Sequence, residues 1–438
     1  MLSREDNERL VRVGPGTPMG TLMRLHWLPF LRAGDVVADG QPHRVRLLCE
    51  DLVAFRDTAG KVGLVDHACP HRASPMVFAR NEENGLRCVY HGWKFSVDGQ
   101  CQHMPAEPAA SPMCRHMRIK AYPVRERQGI LWAYMGPDAE PPPLPDLEWN
   151  LVPETQGHVS LRIQECNWLQ ALEGEIDSAH AAILHGRVDA ASTIDQWRQA
   201  QDLMPTFECV AHASGVHIAA RRRAGPGQQY VRVNQFMLPF YTLVPPQTQY
   251  PELSGHAWVP MDDEHTLCLM FSYHPAQPLY EKTRKMFHEG HKGWDSGHPS
   301  DASFIKRPVT EPYPLYWSRF NRGNAYEFDY AMQVKQRNFG MPGLWVQDAA
   351  SQSGVSPIVD RSQEHLGSTD VGIVRTRRLL LESLRRLALD GTRPASATQP
   401  ASLMWRAVSL TLPEGDDWKP AAAQPMQARL GADFGYVP

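Results

Sequence analysis

The sequence is short of the features that most simple functional classes need. Only eight of its 438 residues are cysteine, far below the density of a small disulfide-stapled scaffold, so thiols and imidazoles set close together point to a metal rather than to cross-links. An excess of one charge is missing too. With a formal net charge of -3 and 21% charged residues, no single-sign field exists to draw in nucleic acid or an anionic membrane. The longest uncharged stretch, VNQFMLPFYTLVPPQTQYP from Val233, contains four prolines, one asparagine and three glutamines, which a hydrocarbon-spanning helix does not accommodate. The opening MLSREDNERLVRVG is charged from its fourth residue and offers neither an apolar core nor a small-residue cleavage site. No secretory signal is read there, and the expectation is a cytoplasmic protein. Internal repeats are absent.

What remains is a chain long enough for two or three domains with a well-buried core. VRLLCEDLVAFRDTAGKVGLVDHACP consists of short β-rich runs broken by turn residues, and the style continues through Gly99. A small all-β domain is expected there, closed by a strand pair in YPVRERQGILWAYMGP. The proline-dense DAEPPPLPDLEWN can continue neither helix nor central strand and marks a boundary near residues 140 to 150. Beyond it, NWLQALEGEIDSAHAAILHG has helical patterning with Gly186 as its stop. SGVHIAARRRAG, GQQYVRVNQFMLPFYTLV and HTLCLMFSYHP are strand-like, and VGIVRTRRLLLESLRRLALDG is an amphipathic helix. Strands with helices set apart predict an α+β second domain. The expected division is a helical segment over 1–35, a β domain over 36–145 and a catalytic domain over 146–438. The Ala-, Pro- and Gln-rich tail after Gly391 is expected to run over the surface.

Two clusters carry chemistry. In CPHRASPMVFARNEENGLRCVYHGWKF, Cys69 and His71 form a Cys-x-His and Cys88 and His91 a Cys-x-x-His. Structural zinc uses the same residue types, but usually as paired Cys or paired His knuckles. One Cys and one His per knuckle suits a cluster whose two irons are ligated differently, one by thiolates and one by imidazoles. Neutral imidazoles raise its potential to roughly -150 to +300 mV. Trp93 and Tyr90 are read as packing residues, and Cys101 and Cys114 as ordinary thiols. The second cluster is EGEIDSAHAAILHG, with Glu173, Asp177, His180 and His185. Non-haem Fe(II) that binds O2 is usually held by two His and one carboxylate. On an ideal helix His180 and His185 would point about 140° apart, so the helix is expected to distort or end between them.

CPHR and CVYHGWKF resemble the Rieske 2Fe-2S motif. Together with D-x2-H-x4-H about ninety residues later, they resemble the oxygenase (alpha) subunit of Rieske non-haem iron aromatic-ring-hydroxylating oxygenases. VGPGTPMG, RLLCEDLVAFRDTAGKVGLVDHACPHR and SPIVDRSQEHLGSTD are similar to the phthalate dioxygenase branch. Where relatives often have Gly-Ala the chain has Ala73-Ser74, and where they often have Gln-Glu it has Gln352-Ser353. The resemblance implies a small Rieske domain and a larger helix-grip catalytic domain, with Cys69, His71, Cys88 and His91 on the cluster. It further implies His180, His185 and Asp348, from WVQDAASQSG, on the iron, with Asp360 and Asp370 as fallbacks. Asp177 would bridge His180 to His91 of an adjacent subunit, with Glu173 in support, in a trimer or stacked hexamer. The implied reaction adds O2 to a phthalate- or benzoate-like aromatic carboxylate and yields a cis-dihydrodiol. No dinucleotide fingerprint follows a strand, so NADH would act through a separate flavin and iron-sulfur reductase. Arg221, Arg222, Arg223 and Arg232 are candidates for the substrate carboxylate. A monooxygenase or O-demethylase would use the same two metals, and a pure electron-transfer protein only the first.

Overall fold

A computed structural model of the chain describes all residues except 1, 109, 186–201, 247–251, 282, 286–303, 337–338, 342 and 432–438. The β-branched runs after residue 40 form the strands His43–Leu47, Glu50–Arg56 and Val62–Asp66, which pair antiparallel and are completed by Ala121–Tyr122. The Asp-Thr-Ala-Gly turn closes the second hairpin, with Gly60 in the left-handed region at φ 82° and the Gly60 N–H donating to Asp57 O. A second small sheet runs Arg80–Glu82, Gly85–Arg87, Lys94–Phe95 and Cys101–His103. These sheets enclose a core of their own around Val53, Phe55, Leu86 and Phe95, which also takes in Cys69 and Cys88.

The N-terminal segment is helical over Arg4–Val11 and Pro18–Arg24. Ser3 Oγ accepts from Asp6 N–H and Thr17 Oγ1 from Gly20 N–H, as helix starts require. Helix does not extend to residue 35. Trp27–Arg32 is a strand paired with Ile130–Tyr134, which also pairs with Val124–Arg127. WLPFLR explains the change, because Pro29 is excluded from a helix interior and nearly every side chain in the run is buried.

Strands of the larger part form one sheet in the order Thr206–His212, Gly215–Arg223, Gln228–Met237, Tyr241–Val244, Leu253–Pro260, Thr266–Tyr273, Gly157–Gln164, Trp317–Ser318, Phe304–Ile305. Its pairings are antiparallel apart from a single parallel bridge, Ile163 to Trp317. The Arg-rich helix is observed over Val371–Asp390 and stops at Gly391, left-handed at φ 74°. It packs on the strands Thr206–His212 and Gly215–Arg223. The architecture is therefore the α+β class expected, small β sheets beside a large antiparallel sheet with helices. The tail is different. Val408–Pro413 pairs with Gln228–Met237, and Trp418 and Ala422 are buried. The alternation in VSLTLP and one large aromatic anchor outweigh the polar, Pro-rich composition around them. No helix of the described residues is long and apolar enough to cross a membrane.

Two helices matter most for the site. Trp168–Ile176 lies against Leu344–Ser353, and the close approach is at Gly174, where a Cβ would stand 1.9 Å from Gln352 Nε2 and 2.6 Å from Gln352 Cδ. Gln352 has little freedom to retreat, since Gln164 Nε2 donates to its Oε1 at 2.7 Å and Gln170 Nε2 to its backbone oxygen at 2.9 Å. Gly174→Ala is therefore expected to cost ~1–3 kcal/mol by overpacking. A urea melt with an unchanged midpoint would show that the helices separate freely at this point.

Candidate metal centres

Two loops of the same design build the first centre. Cys69 N–H donates to Ser74 O (2.9 Å) and Ala73 N–H to Cys69 O (2.9 Å); likewise Cys88 N–H donates to Trp93 O (2.8 Å) and Gly92 N–H to Cys88 O (3.0 Å). The fourth residue after each cysteine is left-handed, Ala73 at φ 54° and Gly92 at φ 74°. Both thiols are buried, and both imidazoles are half-buried at the rim. The rings of His71 and His91 lie 4.4 Å apart, and the Trp93 indole stacks on His71 at 4.4 Å and 9°. His71 Nδ1 is buried without a hydrogen-bond partner. An orphan of that kind requires an explanation, and ligation of a metal by this nitrogen supplies one. Burial pushes the Cys69 thiol up to about 11, a penalty on the thiolate that a bound metal reverses. Two buried thiols and two inward imidazoles thus fit a 2Fe-2S cluster with mixed ligation. Cys101 and Cys114 lie in the same domain with their Sγ atoms 3.4 Å apart, outside both loops.

The second centre begins where the helix Trp168–Ile176 ends. Asp177 is its C-terminal cap in extended backbone, and Asp177 Oδ1 accepts from Ala179 N–H at 2.8 Å, turning the chain into the short helix Ala181–Leu184. The break thus precedes both histidines instead of dividing them, which corrects the expected position; Gly186 lies outside the described residues. His180 and His185 flank a single helical turn. Their Nε2 atoms stand 3.4 and 3.3 Å from one oxygen of Asp348, carried by Leu344–Ser353. One ligand atom from each of the three residues lies within 4.8 Å of the others. This is a two-His, one-carboxylate set with room for further ligands, as a non-haem iron that binds O2 needs.

Electrostatics point the same way. Burial opposes charge on the His180 imidazole, yet hydrogen bonds to Asp177 and Asp348 raise it to about 10. Asp348 is pushed up by burial and pulled far below its ordinary value by the two histidines. The carboxylates thus favour positive charge at the point where the three groups converge, as a cation site requires. Asp177 Oδ2 stands 3.5 Å from His180 Nδ1, behind the ring. His185 Nδ1 is 2.9 Å from Gln347 Oε1.

Other residues singled out by sequence fall elsewhere. Glu173 does not join Asp177; Arg377 Nη2 donates to it at 2.8 Å and Arg361 Nε at 3.2 Å, in a buried network with Glu364 and Asn7. Asp360 accepts from Ser362 N–H and Asp370 from Gly367 N–H, so both are turn aspartates. Period-two alternation splits the arginines. Arg223 is exposed beside Asp202, and Arg221 lies near Glu208 and Asp417. Arg222 faces inward and donates to Ser178 O at 2.6 Å, holding the turn between Asp177 and His180. Arg232, on the same face of the neighbouring strand, borders a cavity of about 200 Å³ that also reaches His180, His185 and Asp348. Arg162, His256, Trp258 and Trp345 line it too and were not foreseen. His256 Nδ1 lies 2.7 Å from Glu175 Oε1, and Thr242 Oγ1 donates to Glu175 Oε2 at 2.6 Å. The alternation along HVSLRIQ and SGHAWVP could have placed Arg162 and His256 on one face, but not beside the metal residues.

Ala73 carries the backbone conformation that glycine adopts without strain. Ala73→Gly is expected to stabilise the first loop by ~1 kcal/mol while leaving its ligands in place. Thermal loss of the cluster's visible absorption measures this, and an earlier loss would contradict the left-handed assignment.

Comparison with known proteins matches residues 26–123 to the Rieske [2Fe-2S] domain and residues 133–432 to the LigXa C-terminal domain like family. The chain is 37% identical over 434 residues to the 3-chlorobenzoate-3,4-dioxygenase oxygenase subunit of Comamonas testosteroni, covering 97% of this chain and 98% of that one. It is 39% identical over 399 residues to the phthalate 4,5-dioxygenase oxygenase subunit of Pseudomonas putida, covering 88% and 86%. Dicamba monooxygenase bound to 3,6-dichlorosalicylic acid shares the fold with a TM-score of 0.57 at 16% identity, over 84% of this chain and 99% of that one. With the paired Cys/His loops and the His180, His185, Asp348 triad in place, the chain belongs to the Rieske non-haem iron oxygenases, as an oxygenase subunit of the branch that includes phthalate dioxygenase.

Proposed function

We propose that this terminal oxygenase adds both atoms of O2 to an aromatic carboxylate, a benzoate or phthalate, to give a cis-dihydrodiol. The observation that carries the reading is the cavity beside the iron ligands. A dry cavity of roughly 150 Å³ admits benzene, so about 200 Å³ suits a single substituted ring. Trp258, Met270, Val244 and Leu344 supply apolar walls, whereas Arg232 supplies charge. Arg232 is 3% exposed and donates to Tyr230 Oη (3.3 Å) and Pro245 O (2.9 Å). Among the described residues no ion pair to it is found, and its neighbour Arg222 is lowered to about 10 by burial and by the charge of Arg232. Two buried like charges call for an anion, and a substrate carboxylate can accept two parallel hydrogen bonds from a guanidinium. The 3-chlorobenzoate and phthalate specificities of the two relatives agree with this chemistry.

His180, His185 and Asp348 would hold the iron, which would supply open positions for O2 and one electron, the Rieske cluster supplying the other. Asp177 orients the His180 ring from behind; about a quarter of its side chain is exposed, leaving an open edge for His91 of an adjacent copy. Such a contact needs a homo-oligomer, for which the family resemblance implies a trimer or a stacked hexamer, and a separate flavin and iron-sulfur reductase would feed the chain from NADH. The alternative chemistry is monooxygenation or O-demethylation, since the chain is also similar to a tert-butanol monooxygenase / tert-amyl alcohol desaturase oxygenase subunit (30% identity over 86% of this chain) and to a 5,5'-dehydrodivanillate O-demethylase oxygenase subunit (45% identity over 42% of it).

Substrate-dependent O2 uptake across a series of aromatic acids and their neutral amides tests the reading. Acids are expected to be turned over and amides to fail, and ¹⁸O₂ is expected to place two labelled atoms in one diol. Formaldehyde release would instead make the enzyme a demethylase. Arg232→Gln is expected to raise KM for the acid by roughly 10- to 100-fold with little change in kcat; an equal loss for acid and neutral analogue would remove Arg232 from carboxylate binding. Asp177→Asn should keep both metals yet slow single-turnover oxidation of the Rieske centre by roughly 10- to 100-fold. A wild-type rate in stopped flow would refute the bridge.

A further inference from the structure

The two iron-binding histidines are supported from behind by chemically different groups. We propose that Gln347 is a positioning residue that fixes the tautomer and ring orientation of His185, so that Nε2 and not Nδ1 is offered to the iron. The proposal rests on the assignment of His180, His185 and Asp348 to that iron.

An imidazole can ligate through either nitrogen, and the choice is set by what the other nitrogen binds. His185 is 7% exposed, with Nδ1 2.9 Å from Gln347 Oε1 and Nε2 3.3 Å from Asp348 Oδ1. A glutamine can turn its oxygen or its NH2 toward a neighbour, so this contact alone does not say which atom holds the proton. The other end of the amide resolves it. Gln347 Nε2 is 3.1 Å from the backbone oxygen of Met341, and a carbonyl oxygen only accepts. The NH2 must therefore face Met341, the amide oxygen must face His185, and His185 Nδ1 must carry a proton to donate. Nε2 is left with its lone pair directed at Asp348. Gln347 is fully buried, so water cannot substitute for either contact without a cavity opening.

Sequence order strengthens the link. Gln347 precedes Asp348 on the helix Leu344–Ser353, so one stretch of backbone delivers both the carboxylate ligand and the amide that orients an imidazole ligand. His180 is treated differently, because its Nδ1 faces the charged Asp177. A neutral amide at His185 fixes direction without adding negative charge, whereas the carboxylate at His180 fixes direction and adds it.

The experiment uses the full chain with its Rieske cluster intact and the mononuclear metal removed by a chelator. Fe(II) is titrated back, and Co(II) serves as a spectroscopic probe of geometry. Gln347→Met and Gln347→Leu replace the amide acceptor by side chains of similar size, leaving respectively a weakly accepting sulfur and no acceptor, and a variant counts when its Rieske absorption is at wild-type level. Each is expected to weaken Fe(II) binding by roughly 10- to 100-fold and to change the Co(II) ligand-field bands. Gln347→Glu keeps an acceptor for the same proton; it is expected to restore the affinity and the Co(II) bands and to shift the Fe(III)/Fe(II) potential negative, through added charge. Wild-type affinity and unchanged bands in Gln347→Leu would overturn the proposal while leaving the iron site standing. If the wild-type chain takes up no iron beyond the cluster, or His180→Ala takes it up equally well, the site assignment fails and the Gln347 role falls with it.

Discussion

The meeting of Asp348 with His180 and His185 is the contact on which the catalytic half depends. A carboxylate and two imidazoles drawn together away from bulk water form a poor arrangement unless something positive lies between them. The same demand appears in the electrostatics, where the two carboxylates raise His180 against its burial and the two histidines depress Asp348. A bound cation meets that demand, so assembly of the site and binding of the metal would be parts of one equilibrium. The remaining architecture brings the three residues to one place. Gly174 lets two helices approach, Asp177 ends the first and turns the chain, and Arg222 pins that turn through the Ser178 backbone. Glu173, between Arg361 and Arg377, locks the same helix to the C-terminal part of the chain.

Legibility in the sequence followed the range of the interactions. The Cys/His loops were readable because ligation and turn are local: each cysteine closes a loop on a residue four or five positions away, and the spacing reports it. The long helix ending at Gly391 and the strands around residues 215 to 273 were readable because periodicity and stop residues are local as well. The break at Asp177 was misplaced, since 3.6-residue periodicity contains no term for an aspartate that caps its own successor. Asp348 came from resemblance alone; within the short helix Leu344–Ser353 no spacing or neighbour sets it apart from a solvated helix aspartate. The strand Val408–Pro413 was lost in a Pro- and Ala-rich composition because its partner lies far away in the chain.

Sheet alternation explains what the arginine candidates lacked. Three consecutive arginines cannot share one face of a strand, so at most Arg222, or Arg221 with Arg223, could point inward. Register decides between these. Arg222 pairs with Tyr230 and Ala220 with Arg232, which puts Arg222 and Arg232 side by side on the face toward the iron. The strand sequence implies this only once the partner strand and its register are known. His256 and Arg162 reach the cavity in the same manner, from strands separated in the sheet by Thr266–Tyr273.

Charge placement around the second centre follows a consistent logic. Asp348, Asp177 and Glu175 all border the cavity, and an anionic substrate would be repelled by any of them left uncompensated. Asp348 would be balanced by a bound metal, Glu175 is held by His256 and Thr242, and Asp177 stands behind His180 with part of its surface in solvent. Behind His185, in the dry interior, the chain places an amide. A carboxylate at that point would have added a second buried negative charge with no solvent to screen it, opposing the attraction that Arg232 and Arg162, which line the cavity, would exert on an acid substrate. On the proposed function, the difference between the two supporting groups has a cause in substrate charge: the carboxylate sits where part of its surface meets solvent, and the neutral amide in the interior that an anionic substrate would share.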